Sequence, residues 1–190
     1  MARSGCAADA HKWFYTAFDA SFMWVRDARA LPTALSITPE YLRNAATESG
    51  EVIDYRDWQV PLGRRMRALK IWSVVHGAGL EGLRESIRGH VAMANSLAGR
   101  IESESGFALA TPPSLALVCL YLVDREGRPD DAATKAAMEA VNAEGYSFLT
   151  HTSVNGHFAI RVAIGATTTL PDHIDTLWDL LRKAARQSGG

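Results

Sequence analysis

The first apolar block of the chain runs from Phe14 to Val25 and is rich in aromatic residues. With Ala8 at its head, that pattern predicts a strand, a turn and a second strand, largely buried. A polar break follows at Arg26-Asp27-Ala28-Arg29, and Pro32 to Gly50 shows no sustained period. Within it, Thr38-Pro39-Glu40-Tyr41-Leu42 has the marks of a single helical turn, with threonine as cap and proline in first position. The dense stretch Val52 to Arg65 leads into a helix from about Arg64, punctuated by Gly77 and Gly79. The clearest helix comes next. Leu80, Leu83, Ile87, Val91, Ala94, Leu97 and Ile101 recur every three or four residues, and the pattern ends near Gly106.

The remainder alternates strand and helix. Phe107–Ala110 and Leu115–Val123 read as strands, and Asp130 or Asp131 caps a helix reaching about Ala143. Phe148–Val154 and His157–Ile164 flank Asn155-Gly156, a strong hairpin signal. Pro171 starts a last helix whose inner face is Ile174, Leu177, Trp178 and Leu181. These elements predict helices on one face of a small, mainly antiparallel sheet, with a domain boundary near residue 70.

Composition narrows the function classes. The chain has 190 residues, 47% hydrophobic and 22% charged, with a formal net charge of −1. That balance gives no reason to expect nucleic acid or an anionic membrane surface as partner. The longest apolar run, Leu115–Val123, is too short to span a bilayer. Two cysteines are too few for a disulfide framework, so a cytoplasmic location is expected. The six histidines show no metal-ligand spacing, and no metal is expected.

Lys12 precedes the first apolar block. An ammonium at the lip of such a block is expected to be partly desolvated, which favours the free amine as a nucleophile toward a carbonyl. On residue type alone, the commoner role for a lysine there is to lie along apolar surface with its head in water. Arg161 interrupts the apolar strand Ala159–Ile164 and needs either a partner or a wet face.

Asp9-Ala10-His11-Lys12-Trp13, followed by Phe18-Asp19-Ala20-Ser21-Phe22-Met23-Trp24-Val25, resembles the cofactor-lysine segment of the group II pyridoxal-phosphate decarboxylases, the aromatic-L-amino-acid decarboxylase family. Asp54-Tyr55-Arg56-Asp57-Trp58-Gln59-Val60-Pro61-Leu62-Gly63-Arg64-Arg65 is a longer and more specific match to the same family, and the likeness extends from about Asp9 to about Ala185. The resemblance implies that Lys12 forms the Schiff base with pyridoxal 5′-phosphate and that His11 lies beside the cofactor phosphate and the substrate. Tyr41 matches the tyrosine of the family's mobile catalytic loop, which returns a proton to the substrate Cα and reaches into the partner subunit's site. Gly63 matches a position lining the substrate side-chain pocket. Arg161 matches an arginine that holds the substrate α-carboxylate in related glutamate decarboxylases. Without the resemblance, Tyr41 is an exposed loop aromatic and Gly63 a glycine at a helix start.

The fold so implied is α/β: the C-terminal portion of a fold-type-I pyridoxal-phosphate-dependent enzyme. Residues 1–70 would be the end of the large domain with the catalytic loop, and residues 71–190 a small α+β domain. The implied activity is decarboxylation of an aromatic L-amino acid by a homodimer, with this chain a C-terminal fragment inactive alone. An aldehyde synthase or another amino-acid decarboxylase on the same scaffold is the alternative, as is a non-catalytic truncated product.

Overall fold

The computed structural model describes residues 5–37, 49, 52–61 and 63–188. The chain forms two compact units, Met1–Gly79 and Leu80–Gly190.

In the first unit, β1 (Gly5–Asp9) and β2 (Ser21–Val25) pair antiparallel, with Gly5 opposite Val25 and Asp9 opposite Ser21. Between them lies a single helical turn, α1 (Ala10–Trp13). This corrects the expectation of a buried strand–turn–strand over Ala8–Val25. From Gly5 to Val25 the buried residues are Ala10, Thr16 and Ala20, while Met23 and Trp24 stand exposed. A two-stranded ribbon has two faces, and no second layer covers this one among the described residues.

The stretch from Pro32 onward is not wholly aperiodic, because α2 (Ala30–Leu35) forms there. Pro32 sits in its first turn, where a missing N–H leaves no hydrogen bond unmade. A 3₁₀ turn follows at Tyr55–Trp58; the Asp54 carboxylate caps it by accepting from the Arg56 amide at 3.2 Å. Helix α3 (Ala68–Ser103) starts later than the expected Arg64, because Arg67 supplies the first carbonyl, accepting from the amides of Lys70 and Ile71. It breaks at Gly79, whose φ of 71° is a left-handed conformation that glycine adopts without steric cost.

In the second unit, α3 buries Leu83, His90, Ala94, Leu97, Ala98 and Ile101; of the expected stripe, Leu80 is exposed and Ile87 and Val91 are half-buried, while His90 and Ala98 join the buried face. Four strands form an antiparallel sheet in the order β3 (Phe107–Leu109), β4 (Leu117–Leu122), β6 (His157–Ala163), β5 (Thr150–Val154). Asn155 and Gly156, with φ of 52° and 86°, turn β5 into β6 as the Asn-Gly pair predicts.

Helix α4 (Asp131–Ala143) is capped by Asp130, which accepts from the Ala133 amide at 2.9 Å. It is tied to β4 by Thr134, whose buried hydroxyl donates to the Asp130 carbonyl and accepts from the Leu122 amide. Helix α5 (Pro171–Ser188) buries Ile174, Leu177, Trp178, Leu181 and Ala184. Alternation along the two central strands puts Val118, Leu120 and Leu122 on one face with Ile160 and Val162, all buried, and packs them into the unit's core. Cys119 and Arg161 face each other in register on the opposite face.

Candidate active site

Lys12 and His11 sit side by side on α1 because the chain must fold back after β1 to pair with β2. The two side chains have different surroundings. The Lys12 side chain is 71% exposed, and its ammonium lies 2.6 Å from an Asp9 carboxylate oxygen. The expected desolvation is therefore absent in this chain: the apolar residues around Lys12 line an open ribbon rather than an interior. The Asp9 carboxylate also accepts from the Ser21 hydroxyl at 2.8 Å. Its hydrogen bonds from Lys12 and then Ser21 hold the Asp9 carboxyl below the usual carboxylate range.

His11 is half-buried and oriented from one side. Its Nδ1 is 2.8 Å from the Ala20 carbonyl and 3.2 Å from the Ala20 amide, while its own amide donates to the same carbonyl at 3.0 Å. The ring meets the edge of Phe18 at 4.9 Å.

The segment returning from α1 to β2 is held by cations from the head of α3. Arg67 donates from Nε and Nη2 to one Asp19 oxygen, at 3.1 and 2.7 Å. Lys70 donates from Nζ to the Phe18 carbonyl at 2.9 Å, with the carbonyls of Ala17 and Asp19 each at 3.5 Å. Sequence reading missed Asp19, Arg67 and Lys70 as members of this site, since no local spacing links residues about fifty positions apart. The Arg67 hydrogen bond lowers the Asp19 carboxyl from its ordinary 3.8 to about 2. A depressed carboxylate stabilises the fold above its unfolded value and loses that contribution as pH falls through the folded one. Acid unfolding of the first unit is therefore expected to gain a component between about pH 4 and pH 2. In Asp19→Asn that component should vanish from a circular-dichroism pH titration.

Gly63 is exposed, and a Cβ built on it would meet open space, so the described residues place no wall against it. Tyr41 lies outside the described residues. Arg56 is paired locally, its Nε 2.9 Å from Asp54 Oδ2, consistent with a structural arginine.

Arg161, in the second unit, is exposed on β6 between Cys119 of β4 and Thr150 of β5. It forms no ion pair among the described residues and lines a cleft of about 530 Å³ with Tyr146, Phe148, Thr150 and His173. One wall of that cleft is fixed by Asn142, whose side-chain amide donates to the Leu149 carbonyl and accepts from its amide. Burial raises the Cys119 thiol above its ordinary range, against the opposing pull of Arg161, which keeps it a packing residue rather than a nucleophile. Among the described residues there is no metal-ligating cluster, and no helix is long and apolar enough to cross a membrane.

Residues 2–123 match the family model described as the pyridoxal-dependent decarboxylase conserved domain. The chain is 40% identical over 179 residues to tyrosine decarboxylase 2 of Narcissus pseudonarcissus, a match that covers 93% of this chain and 36% of that protein. It is also 40% identical, over 180 residues, to phenylacetaldehyde synthase of Arabidopsis thaliana, with the same coverage. Among solved structures, Oryza sativa TDC with PLP and tryptamine superposes with a TM-score of 0.85 at 34% identity, covering 98% of this chain and 39% of that one. The chain thus spans little more than a third of the length of the relatives it matches.

Proposed function

The chain belongs to the pyridoxal-dependent decarboxylase family, and from that premise we propose that, within a longer homodimeric enzyme, it carries the lysine of a site that releases the carboxyl group of an aromatic L-amino acid as carbon dioxide. The observation that carries this reading is the pairing on α1 of an accessible primary amine with an oriented imidazole. The Lys12 side chain is exposed with its nitrogen beside Asp9, and His11 has its Nδ1 engaged by Ala20 and its Nε2 without a hydrogen bond among the described residues. That donor set fits pyridoxal phosphate, which joins an aldehyde to an anionic group. When bound, the cofactor supplies a sink for the electron pair left by the departing carboxylate.

The chain's own residues do the rest. Lys12 would hold the cofactor aldehyde through its amine, and His11 would face the cofactor phosphate. Arg161 binds and orients the substrate α-carboxylate, since a guanidinium lining a cleft without an ion pair is free for a bidentate anion. Gly63 leaves room for a bulky ring. Tyr41 delivers a proton to the substrate Cα after carbon dioxide leaves.

A second reading on the same scaffold is oxidative deamination to an aldehyde, favoured by the likeness to phenylacetaldehyde synthase; the presence of Tyr41 favours decarboxylation. Product analysis of the complete enzyme separates the two. Carbon dioxide and amine in equal amounts are the expected result, with no turnover by the 190-residue chain alone; aldehyde and hydrogen peroxide as main products would sink the decarboxylase reading.

A further inference from the structure

We propose that Arg67 and Lys70, at the head of α3, are positioning residues for His11 and Lys12, acting through the turn Ala17–Ala20. The inference rests on the cofactor role assigned above to Lys12 and His11.

The turn from α1 to β2 has little regular hydrogen bonding of its own; Thr16 reaches back to the Ala10 carbonyl at 3.1 Å. Its conformation is set by charged side chains instead. Arg67 fixes the Asp19 carboxylate with two hydrogen bonds, and one ammonium, that of Lys70, gathers three consecutive carbonyls. The residue after those three is Ala20, which is 1% exposed and makes both hydrogen bonds to the His11 ring found among the described residues. Moving Ala20 by even an ångström breaks contacts of 2.8 and 3.2 Å, because hydrogen bonds weaken steeply outside their narrow range. The position of Ala20 relative to His11 Nδ1 also decides whether that nitrogen donates to the carbonyl or accepts from the amide, and so which tautomer presents Nε2. Lys12 follows His11 on the same helical turn, and inherits its orientation.

This chain of contacts runs from Arg67 and Lys70 to Asp19 and its neighbours, then to Ala20, His11 and Lys12. It lies wholly in the first unit. It also persists across the neutral range, since Asp19 ionises far below it. A purely structural clamp would alter unfolding without selecting a ring tautomer. A positioning clamp alters the imidazole in a protein that remains folded.

The test uses the 190-residue chain, its Asp19→Asn and Lys70→Met variants, and Arg67→Lys as the conservative replacement. Long-range proton–nitrogen NMR of His11 reads the tautomer. Reductive trapping of added pyridoxal phosphate, located on Lys12 by mass spectrometry, reads the amine. The wild type should show ring-nitrogen shifts of one tautomer. Asp19→Asn and Lys70→Met should move them toward the averaged values of a free imidazole and lower trapping at Lys12 several-fold, and Arg67→Lys should restore the wild-type pattern. Unchanged ring shifts, or undiminished trapping, in a variant whose circular dichroism shows it folded overturns the proposal. If Asp19→Asn unfolds, Lys70→Met decides, because it leaves the Arg67–Asp19 pair in place; if both unfold, the clamp is structural only and the proposal is overturned. Failure of the wild-type chain to trap cofactor on Lys12 would count against the cofactor reading, while the ring shifts still decide the clamp.

Discussion

Replacing Lys12 by alanine is expected to abolish the visible absorbance of the lysine-bound cofactor in the complete enzyme and to reduce turnover to background. The effect is all-or-none because a carbonyl cofactor can be held covalently only by an amine that loses two protons to form a carbon–nitrogen double bond. The structure separates this loss from any effect on folding. Lys12 is highly exposed and its ion-pair partner among the described residues is Asp9, also partly exposed, so its removal deletes an exposed ion pair of small consequence for stability. The unfolding midpoint of Lys12→Ala should match the wild type while the absorbance disappears. Lys12→Arg is the sharper comparison, because it keeps a cation opposite Asp9 and still cannot form the double bond; it too should be colourless. A spectrum unchanged in either variant would refute the assignment of Lys12.

Leu120→Ala should have the largest effect on stability. Leu120 is completely buried on β4, paired with Leu109 of β3 on one side and Ile160 of β6 on the other. Deleting a buried leucine side chain in a close-packed core costs about 2–5 kcal/mol, from lost burial and the cavity left behind. For a unit of this size that lowers the midpoint of thermal unfolding by roughly 10 °C or more. Leu170, which is exposed, offers the control: Leu170→Ala should stay within about 0.5 kcal/mol of the wild type. Urea denaturation with an unchanged slope would attribute the Leu120→Ala loss to the folded core rather than to the unfolded chain. A shift under about 1 kcal/mol would mean that the sheet is not packed as described.

Much of the second unit could be read before any coordinates, because its signals are local. Asn155 and Gly156 accept positive φ, so the hairpin followed from two residue types. Asp130 caps α4 through a carboxylate three residues from its donor, and Pro171 opens α5. The helical stripe from Leu83 to Ile101 is a matter of period alone. The first unit resisted the same reading. Its aromatic block looks like a core because apolarity is a property of side chains, whereas burial depends on what other layer arrives to cover them. Here the ribbon's faces are largely open, and a helical turn interrupts what the pattern gave as strand.

The site divides along the same line. The motif around Lys12 placed the amine and the imidazole next to each other, since adjacency in sequence is adjacency in space. It could not say that Ala20 would orient the ring, nor that Arg67 and Lys70 would hold the turn. The contacts of Arg67 and Lys70 join residues 48 to 53 positions apart and that of Ala20 residues nine apart, and those of Lys70 and Ala20 run through backbone groups that leave no trace in residue identity. The sequence by itself thus determined the family, the helix and hairpin signals and the lysine proposed to hold the cofactor. The tertiary structure alone decided what is exposed, what is paired and what holds the imidazole, because each of those depends on which distant groups the folded chain brings within three ångströms.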